Sequence, residues 1–200
     1  MQLNGYVFFH YGKNEQERNR LNGRNASHLQ SITMQYRRHY GRRKGRNLNC
    51  MSNIKVASLF SGIGGIDLGF LQAGFDIVFA NEIDKCACKT YKKNFPNHNL
   101  LEKDIKKVDP TDIPDFDILV AGFPCQAFSI AGKQRGFEDK RGSLFFEIER
   151  IVEKKKPRVI FLENVKNLQE HDHGKTFNKI FASLAQFGYS VRYKILCPTE

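Results

Sequence analysis

From Lys55 onward, short apolar runs alternate with segments of helical period, and few folds accommodate this pattern. Strands are predicted over residues 55–60, 75–80, 117–121, 157–162 and 189–196. Helices are predicted after the first strand, from Asp84 to about Asn94, over 143–155 and over 175–187. Strands rich in Val, Ile, Leu and Phe that alternate with helices indicate an α/β fold, with a parallel sheet covered by helices on both faces.

The charge of the chain is concentrated at its start. Residues 1–50 hold 10 of the 32 Lys and Arg residues but only 2 of the 21 Asp and Glu residues. The remaining 150 residues hold 22 basic and 19 acidic residues. The run 37–46 is basic enough for a nucleic-acid arm. Because residues 1–53 show no helical or strand period, we expect instead a basic, disordered leader, or upstream sequence read before a start at Met51. The domain would then comprise residues 54–200.

Several classes of protein are disfavoured by composition. No stretch approaches the roughly 20 apolar residues of a membrane helix, and no secretory signal precedes the domain. The five cysteines are scattered without a C-x-x-C pair, so neither a zinc site nor a disulfide framework is indicated. We therefore expect a reduced, cytoplasmic protein that has no metal and no membrane partner.

The unusual residues follow the predicted strands. They are the glycine loop 60–65, Glu82, Asp104, the segment 124–126 and Glu163 with Asn164. In parallel α/β sheets, ligands bind beyond the carboxyl ends of the strands. A ligand site that combines a glycine turn, carboxylates and a thiol is therefore predicted at one edge of the sheet.

The glycine loop predicts a nucleoside site. Gly62 and Gly64 allow a tight turn, Gly65 allows close approach of a ligand, and Glu82 comes 20 residues after Gly62, where a carboxylate binds ribose hydroxyls. Asp67 replaces the third glycine of the dinucleotide fingerprint and would repel a pyrophosphate. S-adenosylmethionine, which has no phosphate, avoids this conflict. A nicotinamide-dependent oxidoreductase on the same fold is the disfavoured alternative.

Cys125 and Glu163 are the candidate reactive groups. Cys125 follows a strand directly and lies in an irregular segment, whereas the other four cysteines are interpreted as inert. Glu163 ends an apolar strand, so desolvation is expected to raise its pKa and suit it to donate a proton to a ring nitrogen. His171 and His173 are interpreted as solvated loop residues because no third metal ligand accompanies them.

Residues 55–196 resemble the first part of a bacterial-type cytosine-C5 DNA methyltransferase. The similarity is carried by Phe60–Gly65, Asn81-Glu82, Asp104-Ile105, Gly122–Ser129, Phe137–Phe145 and Glu163–Val165, in the family's order. It implies a Rossmann-like, S-adenosylmethionine-dependent methyltransferase sheet whose C-terminal part is missing. It implies Cys125 and Glu163 as catalytic residues, and as cofactor contacts Phe60, Ser61, Gly62, Ile63, Gly64, Gly65, Glu82, Ile83, Asp104, Ile105, Pro124 and Leu144.

The resemblance also implies an activity. The enzyme would transfer a methyl group from S-adenosylmethionine to carbon 5 of a flipped cytosine in double-stranded DNA, through a covalent Cys125 adduct, in a restriction-modification system. The family's pattern continues beyond Leu196 into a target-recognition domain, which this sequence lacks. The chain is therefore interpreted as a truncated gene product or as the front half of a split enzyme, for which a second polypeptide would supply that domain. The alternative is a catalytically incomplete fragment that acts only with such a partner.

Overall fold

One seven-stranded sheet contains all the strands of the computed structural model, which describes residues 54–123 and 144–195 and, by their backbone alone, residues 6–11. The strands are β1 (Tyr6–Tyr11), β2 (Lys55–Leu59), β3 (Asp76–Glu82), β4 (Leu100–Glu102), β5 (Ile118–Gly122), β6 (Val159–Glu163) and β7 (Tyr189–Lys194). Their order across the sheet is β4-β3-β2-β5-β6-β1-β7. The helices are α1 (Gly65–Gln72), α2 (Lys85–Asn94), α3 (Leu144–Lys155) and α4 (Lys175–Gln186).

Strands β4, β3, β2, β5 and β6 are parallel neighbours, as the alternation of strands and helices predicts. The predicted strands and helices all form, with ends displaced by two residues or fewer. Strand β4 was not predicted, because three residues are too few to display a period.

Helices cover both faces of the sheet. On one face, α3 and α4 contribute Phe145, Ile148, Ile151, Ile180 and Leu184 to a cluster with inward residues of β2, β5 and β6. On the other face, α1 contributes Phe70, and α2 contributes a smaller cluster around Tyr91. Burial of both faces explains why the central strands are almost continuously apolar. No helix among the described residues is long and apolar enough to cross a membrane.

Strand β1 differs from the expectation for the leader. It lies between β6 and β7 and pairs antiparallel with both, with Tyr6 opposite Glu163 and Lys194. For these six residues the structure has a strand, and for the rest of the leader the expectation of disorder stays a prediction. The run Tyr6–Tyr11 is rich in aromatic residues, which favour strands, but it neither alternates with polar residues nor precedes a helical period, so the β-α pattern does not include it. Residues 1–5 and 12–53 lie outside the described residues, and the boundary at residue 53 stays a prediction.

Candidate active site

The carboxyl ends of the central strands meet at one edge, as the sequence predicts. Leu59 lies opposite Asn81 on one side and Ala121 on the other, which places the glycine loop between the ends of β3 and β5. Gly122 lies opposite Glu163. Among the described residues, the structure thus brings the loop, Glu82 and Glu163 to a common edge.

The glycine loop is open on its outer side. Gly62 has φ +57°, and a Cβ atom placed there or on Gly65 would meet nothing within 4 Å. Gly64 has φ +90°, and its Cα is packed so closely against the Phe95 ring that a Cβ would overlap it. Phe60 also has a positive φ, 55°, which is unusual for a bulky residue and typical of functional turns. The backbone is therefore accessible to a ligand above and supported by an aromatic ring beneath.

Glu82 organises the loop through its carboxylate. Its Oε2 accepts the Gly62 N–H at 2.8 Å, and its Oε1 accepts the N–H groups of Ile83 and Asp84 at 2.7 and 2.8 Å. A carboxylate has about four acceptor positions, so Oε2 can accept one more hydrogen bond. The side chain that the sequence assigns to a ribose thus also fixes the backbone around it.

Two apolar side chains and one acid complete this end of the site. Ile63 and Ile83 are 58% and 62% exposed beside the loop and Glu82. Asp104 is half-buried and accepts the Lys106 N–H at 3.1 Å, which begins a short 3-10 turn. Asn81, which is buried, donates to the carbonyl groups of Leu101 and Lys103 and so holds the Asp104 segment against β3.

Two of the predicted cofactor contacts, Ile105 and Leu144, have side chains that are less accessible to a ligand. The Ile105 side chain is 3% exposed in the main core, and its carbonyl accepts a hydrogen bond from Arg150 at 3.0 Å. Leu144 is half-buried at the start of α3 and packs on the same core. A ligand contact by Ile105 would therefore involve its backbone and not its side chain.

Glu163 is half-buried at the end of β6, and burial raises the pKa of its carboxyl above the usual range of a glutamate. This direction agrees with the sequence-based expectation. The next residue, Asn164, is buried and donates from Nδ2 to the Phe123 carbonyl at 3.0 Å. The ends of β5 and β6 are thereby tied together. Pro124 and Cys125 follow Phe123 directly in the sequence and lie outside the described residues.

The structure changes two interpretations of the sequence. Asp67 does not face the ligand side of the loop: it is 1% exposed and accepts hydrogen bonds from Ser58 and Tyr91. His171 is buried, not solvated, and its Nδ1 lies 2.7 Å from the Thr176 hydroxyl oxygen, whereas His173 is exposed. Side-chain partners of this kind come from distant or irregular segments and leave no periodic signal in the sequence.

The other cysteines within the described residues lie on α2, where Cys86 is exposed and Cys88 is buried. Burial raises the pKa of the Cys88 thiol, which opposes thiolate formation. Within residues 54–123 and 144–195, no three His, Cys, Asp or Glu side chains are grouped to hold a metal ion.

Comparison with known proteins decides the family. The family model of C-5 cytosine-specific DNA methylase matches residues 54–198, which is most of the chain. The chain belongs to this family. The fold and the position of the glycine loop in this C-5 cytosine methylase chain agree with the resemblance found in the sequence.

Relatives and solved structures agree with the assignment. Type II methyltransferase M.Bsp6I of Bacillus sp. is 54% identical over 145 residues, which are 72% of this chain and 46% of that protein. Type II methyltransferase M.HhaI of Haemophilus parahaemolyticus is 48% identical over 146 residues, 73% and 44% of the two chains. A crystal structure of a Spodoptera frugiperda DNMT2 mutant matches with a TM-score of 0.52 and 31% identity, covering 66% of this methylase chain and 41% of that one. The chain thus spans less than half the length of these relatives.

Proposed function

We propose that this chain supplies the cofactor-binding and catalytic part of a DNA (cytosine-5-)-methyltransferase of a restriction-modification system. The observation that carries the proposal is the half-buried Glu163, whose pKa is raised, at the edge that also holds the glycine loop. The Type II methyltransferase relatives support the same reaction.

The methyl donor in this proposal is S-adenosylmethionine. The open backbone at Gly62 and Gly65, the carboxylate of Glu82 and the exposed side chains of Ile63 and Ile83 suit a ligand with a ribose and an apolar ring. Phe60, Ser61, Gly64, Asp104, Ile105, Pro124 and Leu144 complete the proposed set of cofactor contacts. When bound, S-adenosylmethionine supplies an electrophilic methyl group.

Cys125 and Glu163 are the proposed catalytic residues. The Cys125 thiolate adds to carbon 6 of the cytosine, and Glu163 in its protonated form donates to ring nitrogen 3. Electron density is thereby displaced onto carbon 5, which becomes nucleophilic enough to be methylated. A base then removes the carbon-5 proton, and elimination releases the thiol. The cytosine must leave the DNA stack for the thiol to reach its ring.

The proposed partners are double-stranded DNA and a further polypeptide segment for target recognition, either on a second chain or in continuation of this one. We also propose that residues 1–53 form a leader apart from the catalytic region 54–200, except for strand β1, which joins the sheet. A cytoplasmic location follows from a substrate of cellular DNA.

A covalent trap tests this function. Fluorine at carbon 5 cannot leave as a cation, so DNA containing 5-fluorocytosine should remain attached to the nucleophile in the presence of S-adenosylmethionine. We would fuse this chain to the C-terminal part of the Bacillus relative, which supplies a recognition segment, and isolate the covalent complex. Cys125→Ser should abolish the complex, and the matched control Cys86→Ser, at an exposed site on α2, should leave it intact. Attachment of the DNA to Cys86 or Cys88 would refute the assignment.

A further inference from the structure

A buried carboxylate lies beneath the proposed cofactor loop. Asp67, in the first turn of α1, is 1% exposed. Its Oδ1 accepts the Ser58 hydroxyl at 2.6 Å, and its Oδ2 accepts the Tyr91 hydroxyl at 2.7 Å. Burying a carboxylate is costly, and here both oxygens are satisfied by side chains of other elements, β2 and α2.

The hydrogen bonds continue from Asp67 into the loop. The Ser61 hydroxyl lies 3.0 Å from the Ser58 hydroxyl and 3.2 Å from the Ser58 carbonyl oxygen, and donates to them. The Ser61 carbonyl in turn accepts the Gly64 N–H at 2.9 Å and closes the turn. Because the Ser58 hydroxyl has one proton and gives it to Asp67, its oxygen is left to accept from Ser61. Without the Asp67 acceptor, the Ser58 hydroxyl could turn its proton towards Ser61, and the direction of the hydrogen bond between the two serines could reverse.

Tyr91 provides a second route to the loop. Its ring centroid lies 4.8 Å from that of Phe95, and Phe95 is the ring against which Gly64 packs. Its hydroxyl oxygen also lies 3.2 Å from His98 Nδ1, and the His98 ring stacks on Phe95 at 5.0 Å. The hydrogen bond from Tyr91 to Asp67 thus holds the aromatic support of the loop in place.

We propose that Asp67 is a positioning residue for the methyl donor: it does not contact the ligand, but it fixes the glycine loop through Ser58–Ser61 and through Tyr91–Phe95. This inference rests on the proposed cofactor role of the loop. It gives a structural role to Asp67, which occupies the position of the third glycine in the dinucleotide fingerprint. Glu82 then holds the loop from its outer side and Asp67 from its inner side.

The test is calorimetric titration of the full chain with S-adenosylmethionine. Asp67→Asn keeps the shape of the side chain and removes one acceptor. We expect affinity to fall by about 5- to 20-fold, less than the full loss of a charge-assisted hydrogen bond, because the effect reaches the ligand only through the loop. Tyr91→Phe removes the hydroxyl that donates to Asp67 and lies near His98, but leaves the Ser58 hydrogen bond to Asp67 intact, and should reduce affinity by a smaller factor, about 2- to 5-fold. Tyr91→Phe also serves if Asp67→Asn fails to fold. Asp76→Asn, on a half-buried acid at the opposite end of β3, is the matched control and should bind as the wild type does.

A double-mutant cycle separates positioning from a general loss of stability. If Asp67 acts through Ser61, the affinity losses of Asp67→Asn and Ser61→Ala should be strongly non-additive. Either change alone already interrupts the hydrogen bonds that connect Asp67 to Ser61 through Ser58, so the second adds little. Additive losses both in this cycle and in the cycle that combines Asp67→Asn with Tyr91→Phe would overturn the inference, as would wild-type affinity in both Asp67→Asn and Tyr91→Phe. If the wild-type chain itself failed to bind S-adenosylmethionine, the proposed cofactor would be wrong, and that outcome is distinct from equal binding by wild type and variants.

Discussion

The side-chain amide of Asn164 donates a hydrogen bond to the backbone carbonyl of Phe123 over 3.0 Å, with both residues buried. The Asn164 Oδ1 accepts the N–H of Val165 at 2.9 Å, so one side chain fixes the turn after β6 and the end of β5. Phe123 is two residues before Cys125 in the sequence. The amide therefore connects the segment of the proposed acid, Glu163, to that of the proposed nucleophile.

Replacing this amide should harm both stability and chemistry. In Asn164→Ala the Phe123 carbonyl is left buried without its partner, at a cost of about 1–3 kcal/mol. We expect the melting temperature to fall by about 2–10 °C, and the rate of trapping by 5-fluorocytosine DNA to fall about 10-fold or more. Asn99→Ala, at an exposed position, is the control. Trapping at the wild-type rate in Asn164→Ala would show that the amide does not position the nucleophile.

Glu163→Gln should make the protein more stable while making it less active. Burial raises the pKa of Glu163, so the folded state binds its proton more tightly than the unfolded state does. The wild type therefore loses stability as the pH rises from the unfolded pKa through the folded pKa, whereas glutamine does not titrate.

We expect Glu163→Gln to melt about 1–3 °C higher than the wild type at pH 8. The difference should vanish near pH 4, where the carboxyl is protonated in both states. Adduct formation should be roughly 100-fold slower, the scale of a lost proton donor. Melting curves between pH 4 and 8 test the expected stability difference, with Glu153→Gln at an exposed site on α3 as control. A melting difference that is independent of pH would contradict it.

Glu82→Ala should weaken binding of S-adenosylmethionine by roughly 1.5–3 kcal/mol, the range of a charge-assisted hydrogen bond. Part of this loss has an indirect origin, because the Gly62, Ile83 and Asp84 N–H groups lose their acceptor. Calorimetric titration with S-adenosylmethionine measures the affinity of Glu82→Ala and of the exposed control Glu170→Ala, which should bind as the wild type does. An unchanged affinity in Glu82→Ala would remove Glu82 from the site.

Deletion of residues 1–11 should lower the melting temperature by about 5 °C or more, because β6 and β7 would each lose the strand that lies between them. Deletion of residues 1–5 alone, which leaves β1 complete, is the matched control. Equal melting temperatures for the two deletions would mean that β1 contributes nothing to the sheet, as the sequence alone suggested.

Much of the fold could be predicted because it depends on local patterns. Apolar runs such as Ile118–Gly122, followed by a helical period, are sufficient to indicate buried parallel strands. The positions of Glu82 and Glu163 at strand ends follow from the same pattern. Strand β4 could not be found this way because it has three residues. The position of β1 between β6 and β7 could not be found, because it is a single aromatic run with no helical period after it and its partners are more than 140 residues away.

The sequence by itself determined the class of sheet, the edge where the site lies and the residue types gathered there, because periodicity and strand ends are local properties of the chain. Only the tertiary structure decided what those side chains contact. The sequence predicts that the Asp67 charge lies near a ligand, whereas the structure buries it between Ser58 and Tyr91. Asn164 was merely the residue after Glu163, and it joins two strands. Such hydrogen bonds connect residues 9 to 41 positions apart, and their partners are chosen by packing and desolvation, which no local pattern records.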